Sequence, residues 1–306
     1  MRKKMGILLL AACLGLAVGC SNGGDSAGGS DNGNSGTNGE KAIASENTLE
    51  KAQRQGFVSV GFANETPYAY ATPDGQLTGE AVEVARAVLN NLGIEEMDGV
   101  LTEFGSLIPG LQAKRFDIIT AGMFIDETRS KEVAFANPEY SIGAAIAVTK
   151  GNPHDLHSYE DIKNNPEVKV AVMVGALEID YLKGVGVPDN QIVTVPDQPS
   201  AISALQSNRV QAATMTGPAL QAMLDSTKDP NLERVSDFEQ PVIDGKSVRG
   251  YGAAAFRKED TAFREAFNAE LEKLKESGEL LEILQQFGFT EDELPGDMTA
   301  EEAAKP

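Results

Sequence analysis

The sequence predicts an α/β protein of two lobes, each a largely parallel sheet covered by helices. Two observations carry this. Short apolar runs alternate with amphipathic stretches of helical period in two series, over residues 57–120 and again over 168–225. With 306 residues, 41% of them apolar, the chain is long enough for one large or two modest cores.

The elements follow in order. Met1-Arg2-Lys3-Lys4 is a positive start, and Gly6 to Val18 is an apolar run too short to span a bilayer stably. This reads as a signal peptide over residues 1–19, with small Ala17, Val18 and Gly19 before Cys20. Residues 20–45, rich in Gly, Ser and Asn, read as a flexible linker with too little apolar surface to fold. A strand is expected over Phe57–Phe62, then a helix over 80–92 whose Ala81, Val84, Ala85, Val88 and Leu89 share one face. A strand at Val100–Thr102, a helix at Ser106–Lys114 and a strand at Asp117–Thr120 complete the first series. The second series gives strands at 168–174, 191–195 and 210–215, with helices at 177–184, 199–208 and 217–225. Two helices over 260–275 and 278–287 close the fold, and residues 296–306 are expected to form a disordered tail.

Composition excludes several functions. Twenty-six basic against 46 acidic side chains give a net charge of −20, and loss of Arg2, Lys3 and Lys4 with the signal takes this to −23. Such a surface repels nucleic-acid phosphates and anionic lipid. The two cysteines, Cys13 and Cys20, both lie within the first 20 residues and cannot form a disulfide framework. His154 and His157 are three apart but lack an evident third ligand, so no metal and no cofactor is predicted.

In open sheets of this kind ligands sit at the carboxyl ends of strands. The segments there are distinctive: Gly61-Phe62-Ala63-Asn64-Glu65-Thr66-Pro67-Tyr68, then Thr102-Glu103-Phe104-Gly105-Ser106, then Phe116-Asp117-Ile118-Ile119-Thr120-Ala121-Gly122-Met123, followed by Thr128-Arg129 and Phe135-Ala136-Asn137-Pro138. With them the chain resembles the family 3 solute-binding proteins of bacterial ABC importers, and within that family the ectoine/hydroxyectoine-binding proteins. The resemblance implies the two-lobed periplasmic-binding-protein-like fold (type II), with two crossing hinge strands near Ala145–Thr149 and Ser247–Ala253. Lobe 1 would comprise residues 46–147 and 251–295, and lobe 2 residues 148–250. It also implies a monomer that delivers a small zwitterionic solute to a permease and its ATPase. Ala17-Val18-Gly19-Cys20 resembles a lipobox, which implies lipidation of Cys20 and a membrane anchor; Leu10-Ala11-Ala12-Cys13 fits the same pattern less well, because the apolar run continues past it.

The site residues follow from both lines. Arg129 matches the family arginine that grips the solute carboxylate, a task suited to a planar guanidinium. Asp126 reads as a helix N-cap, which places Arg129 in a first turn, where the helix dipole disfavours a cation. The alternative is a surface pair with Glu127 or Glu132. Tyr68, Phe104 and Phe124 fall where the ectoine-binding proteins place three rings, and ring faces attract a delocalised cation by ~0.5–2 kcal/mol each. In those relatives the tyrosine stands second, so the hydroxyl here is exchanged between Tyr68 and Phe104; ordinary core packing is the competing reading of Phe104. Glu65 would accept from solute N–H groups, or else be a solvated loop carboxylate. In lobe 2, Thr216 stands where binders of α-amino acids present an aspartate, and Leu177 where relatives carry a threonine. Both absences disfavour a simple amino acid and a specific contact to a solute hydroxyl.

The chain holds no Ser/His/Asp or Cys/His arrangement, so no enzyme is expected. A cyclohexadienyl dehydratase-like enzyme on the same fold remains the rival from another class, with Glu65 or Glu178 as its acid. A receptor sensor domain is a third reading, against which the absence of a membrane-spanning helix before Pro306 counts.

Overall fold

The computed structural model describes residues 46–305 apart from Asp244, so the leader, the linker and Cys20 lie outside the described residues. Among the described residues no helix is long and apolar enough to cross a membrane.

The first part of the chain runs α1 (Thr48–Gln55), β1 (Phe57–Phe62), β2 (Tyr70–Ala71), β3 (Leu77–Thr78), α2 (Glu80–Asn91), β4 (Glu96–Leu101), α3 (Leu107–Gln112), β5 (Ile118–Phe124), α4 (Glu127–Glu132), β6 (Ala134–Phe135) and β7 (Tyr140–Ile142). α1 starts at a capping box in which Asn47 and Glu50 satisfy each other's backbone N–H groups. α2 lies on the sheet through buried Ala81, Val84, Ala85, Val88 and Leu89, the face its periodicity foretold. β4 begins at Glu96, ahead of the expected start at Val100, because it is a half-exposed edge strand whose polar residues give no apolar run. β5 is buried at every position, as a central strand covered on both faces must be.

The chain then passes through β8 (Ala144–Thr149), α5 (Tyr159–Asn164), β9 (Val170–Met173), α6 (Glu178–Val185), β10 (Ile192–Val195), α7 (Gln198–Gln206), β11 (Ala212–Thr216), α8 (Gly217–Thr227), β12 (Leu232–Arg234), β13 (Val242–Ile243) and β14 (Lys246–Ser247). It returns through β15 (Gly250–Phe256), α9 (Thr261–Ser277), α10 (Glu279–Gln285) and α11 (Ala300–Ala303).

Two main sheets result, ordered β4-β1-β5-β15-β6, with β7 also on β15, and β10-β9-β11-β8-β12; β2-β3 and β13-β14 form two-stranded sheets beside them. β1 is parallel to β4 and β5, and β9 to β10 and β11, while β15 and β8 join antiparallel to β5 and β11. The chain changes sheet twice. All of β8 pairs within the second sheet, so the first change falls at Gly143, just ahead of the expected Ala145–Thr149. Gln240 clamps this point: its Oε1 accepts from Ala144 N and its Nε2 donates to Ala144 O, both at 2.8 Å. The second change lies between Arg234, where β12 leaves the second sheet, and Gly250, where β15 joins the first; the β13–β14 hairpin falls between them, and the expected Ser247–Ala253 covers only its end. Gly250 and Gly252 in β15 make room for rings. A Cβ there would come within 2.2 Å of the Phe124 ring and 2.1 Å of the Tyr140 ring.

The disordered tail is corrected. Residues 299–304 form a capped turn in which Thr299 and Glu302 make a capping box, and Ala300 N donates to Asn137 Oδ1 at 3.2 Å. Ala300, Ala303 and Ala304 pack against the apolar cluster of Phe116, Ile119 and Phe135. Small alanines anchor the segment without an apolar run to announce it.

Candidate functional site

The carboxyl ends of the parallel strands in both sheets converge on one narrow cleft, whose cavity volume as it stands is only about 30 Å³. Glu65 and Tyr68 follow β1, Phe104 follows β4, Phe124 ends β5 and Arg129 lies in α4. From the second sheet come Leu177 and Glu178 after β9, Gln198 after β10 and Thr216 at the end of β11. The seven residues singled out from the sequence all line this cleft, together with Glu178 and Gln198.

Arg129 is held from several sides. Asp126 caps α4 by accepting from Arg129 N at 2.9 Å, and its Oδ2 pairs with Nε at 3.2 Å. Nη1 donates to Phe124 O and Nη2 to Gly175 O, each at 2.7 Å, the second bond reaching the other sheet's loop. The guanidinium carbon lies 5.6 Å from the Phe104 ring centroid, within cation–π range. Burial acts to lower the arginine's pKa, opposed by Asp126 and Glu178. The surface-pair alternative is set aside, because Glu127 pairs with Lys131 and Glu132 accepts from Gln112. Two guanidinium N–H groups are thus hydrogen-bonded and Nε faces Asp126 as an ion pair, leaving one N–H on each Nη to meet a carboxylate.

The rings are arranged less openly than a bare box. Tyr68 is buried, stacked on Tyr140 at 5.3 Å and 22°, with Phe289 edge-on at 5.9 Å. Its hydroxyl donates to Thr216 Oγ1 at 2.6 Å. Phe104 is both cleft wall and core, packed in one cluster with Leu107 and Met173. Tyr140, which the sequence reading missed, backs the wall and donates to Gly122 O at 2.7 Å. Gly122 must be glycine there: its φ is +61°, and a Cβ would lie 2.6 Å from the Tyr68 ring.

Two acids enter. Glu65 is fixed by paired backbone bonds with Ala69 and accepts from Gln198 Nε2; the solvated-loop reading fails, since only 8% of it is exposed. Burial first, then the neighbouring Glu178, raises its pKa to about 8 against the opposing pull of Gln198 and Arg129. Glu178, at the start of α6, is likewise buried and its pKa raised by burial. The aspartate position is filled by Thr216, as the sequence says, but Glu178 brings an acid to the same cleft from the start of α6. Gln198 was missed although it stands at a strand's carboxyl end, where the position alone could have flagged it. Elsewhere, His157 is tied to Asp237 at 2.9 Å and to Asp155 at 3.1 Å.

Two α/β lobes enclosing one guanidinium, two carboxyls and several ring faces define a binding protein for a small polar solute. The bacterial extracellular solute-binding proteins, family 3, match residues 58–291, and the chain belongs to that family. It is therefore an extracytoplasmic solute-binding protein of an ABC importer and not an enzyme. It is 38% identical over 249 residues to a probable amino-acid ABC transporter periplasmic-binding protein, y4tE, of Sinorhizobium fredii, covering 81% of this chain and 82% of that one. The solved structure of EhuB in complex with hydroxyectoine is 36% identical with a TM-score of 0.74, covering 84% of this chain and 95% of that chain. An ancestral amino-acid-binding protein, a precursor of cyclohexadienyl dehydratase, is 27% identical with a TM-score of 0.68, over 78% of this chain and 99% of that one. These likenesses share the type II two-lobed fold.

Proposed function

We propose that the cleft captures a cyclic zwitterion with a delocalised cation, ectoine or hydroxyectoine, for delivery to a permease and its ATPase. The observation that carries this is the frame around Arg129. A solute carboxylate meets the remaining Nη N–H groups, and the solute ring then lies among Phe104, Phe124 and Tyr68 with its N–H groups toward Glu65. The likeness to the hydroxyectoine complex supports the same reading. Leu177 offers a solute hydroxyl no partner, so the two solutes should bind alike. An α-amino acid is the second reading, favoured by Glu178, whose carboxyl is available to an ammonium, and by the probable amino-acid binder among the relatives. One calorimetric panel of ectoine, hydroxyectoine, proline, glycine betaine, glutamine and arginine decides. Tight binding of glutamine or arginine with none of ectoine overturns the first reading and leaves the family intact.

The protein works, on this proposal, as a monomer closing about the two sheet changes and tethered to the membrane through lipidated Cys20. Cys20→Ser should release it into the soluble fraction with binding unchanged. Retention of that variant on membranes would move the anchor to Cys13 or to another mechanism.

A further inference from the structure

We propose that Gln198 is a specificity residue whose amide oxygen accepts an N–H from the solute's cationic group. Its side chain enters the cleft from the first turn of α7, where only 4% of the residue is exposed. Nε2 donates across the cleft to Glu65 Oε1. Oε1 has no hydrogen-bond partner among the described residues. A buried amide oxygen left unpaired is costly, and the amide cannot rotate to relieve it without turning its N–H groups away from Glu65. The orientation is fixed once Glu65 is ionised, as it becomes when a cationic group enters: its carboxylate then accepts from Nε2, and Oε1 is left toward the cleft, which Glu178 and Thr216 also line. The group that completes the arrangement is therefore a donor, and a donor carrying positive charge suits the two adjacent carboxyls. A solute whose nitrogen is fully alkylated offers no such donor. It would leave Oε1 and Glu65 desolvated together, so Gln198 discriminates against quaternary ammonium solutes of the same charge.

The inference rests on the reading above that the solute carries a cationic N–H group, and its test separates the two. Calorimetry is run on wild type, Gln198→Met and Gln198→Glu with whichever of ectoine, glutamine or arginine wild type binds, and with glycine betaine as the probe without N–H. Thermal melts confirm folding. Gln198→Met keeps the volume and removes both polar atoms; it should weaken the N–H solute at least tenfold and narrow its margin over glycine betaine. Gln198→Glu keeps an acceptor but gives up the N–H donated to Glu65 and adds a third carboxyl, so at pH 8 it should lose less than tenfold and less than Gln198→Met does. Affinity of Gln198→Met within twofold of wild type overturns the proposal. So does a tenfold loss in Gln198→Glu, which would make donation to Glu65 the residue's only task. Failure of ectoine alone, with these ratios kept for an amino acid, overturns the solute assignment and leaves Gln198 in its role.

Discussion

The Tyr68 hydroxyl donates to Thr216 Oγ1 at 2.6 Å, joining a loop of the first sheet to the end of a strand in the second. Both residues are buried, so the bond forms away from water and belongs to the closed arrangement of the lobes. Tyr68→Phe keeps the stack on Tyr140 and deletes only this bond. A neutral hydrogen bond contributes about 0.5–1.5 kcal/mol net, which corresponds to a roughly two- to twelvefold loss of solute affinity. Calorimetry beside a thermal melt checks it: unchanged affinity with a lowered melting temperature would assign the bond to lobe stability alone.

Thr216→Asp adds an acid where binders of ordinary amino acids carry one, and its carboxylate still accepts from Tyr68. With Glu65 and Glu178 it would give a primary ammonium three carboxyl neighbours. Preference should move toward glutamine or arginine and away from ectoine by about tenfold in the ratio of dissociation constants. A competition titration that shows no change in this ratio would remove Thr216 from the specificity argument.

Arg129→Ala should abolish detectable binding, because hydrogen bonds to a charged group contribute about 1.5–3 kcal/mol each. Arg129→Lys should recover little. An ammonium cannot hold Phe124 O, Gly175 O and Asp126 together and still present two parallel donors. Near-native affinity in either variant, measured by calorimetry, would sink the carboxylate assignment.

Most of this site was legible because its residues sit at strand ends, and strand ends follow from alternation of apolar runs. Arg129 was legible through the Asp126 cap; the expected misfit of a cation in a first turn does not hold, because α4 is six residues long and Arg129 also belongs to its last turn. What stayed hidden depends on contacts between distant segments. Glu178 opens α6 and Thr216 ends β11, far apart in sequence, so only the fold shows that the acid absent at Thr216 is supplied to the same cleft by Glu178. Tyr140 reads as an ordinary strand residue until Gly252 and Gly122 are seen to make room for its ring. The capped turn at 299–304 had its capping pair in plain view, yet alanines give no hydropathic signal for the surface they cover.

A second buried carboxyl pair sets the pH dependence of stability. Glu80 and Glu139 are fully buried behind the Tyr68–Tyr140 stack, and both Glu80 oxygens and Glu139 Oε2 lack partners among the described residues. Burial raises both pKa values, Glu139 to about 8 and Glu80 well above its usual value with Glu139 adding to it; Ala254 N and Lys275 pull Glu139 back. The native state therefore keeps protons that the unfolded chain loses near pH 4.5. The stabilisation is complete below that value and is lost as pH rises toward 8. The melting temperature should fall between pH 5 and pH 8, and Glu139→Gln should flatten that fall. A melting temperature that rises over the same window would contradict the assignment.

Solute binding should expel a proton from Glu65. In the closed cleft its pKa is raised to about 8, so at pH 7 about nine-tenths of the carboxyls are protonated. The groups facing it are Glu178 from α6, Arg129 from α4, Gln198 from α7 and Tyr68 from its own loop; Glu178 raises its pKa and Arg129 and Gln198 lower it. A cationic N–H group placed against Glu65 favours the carboxylate, and the proton must leave as the solute enters. The sign follows: affinity rises with pH by up to tenfold per unit below pH 8 and levels off above it. Calorimetry at pH 7 in two buffers of different ionisation enthalpy should report release of close to one proton, with any excess coming from Glu178. Glu65→Gln should remove about one proton from that count and flatten the affinity profile. An affinity constant from pH 6 to pH 8 in the wild-type protein would mean that the solute's cation lies elsewhere, and a slope kept in full by Glu65→Gln would place it on Glu178.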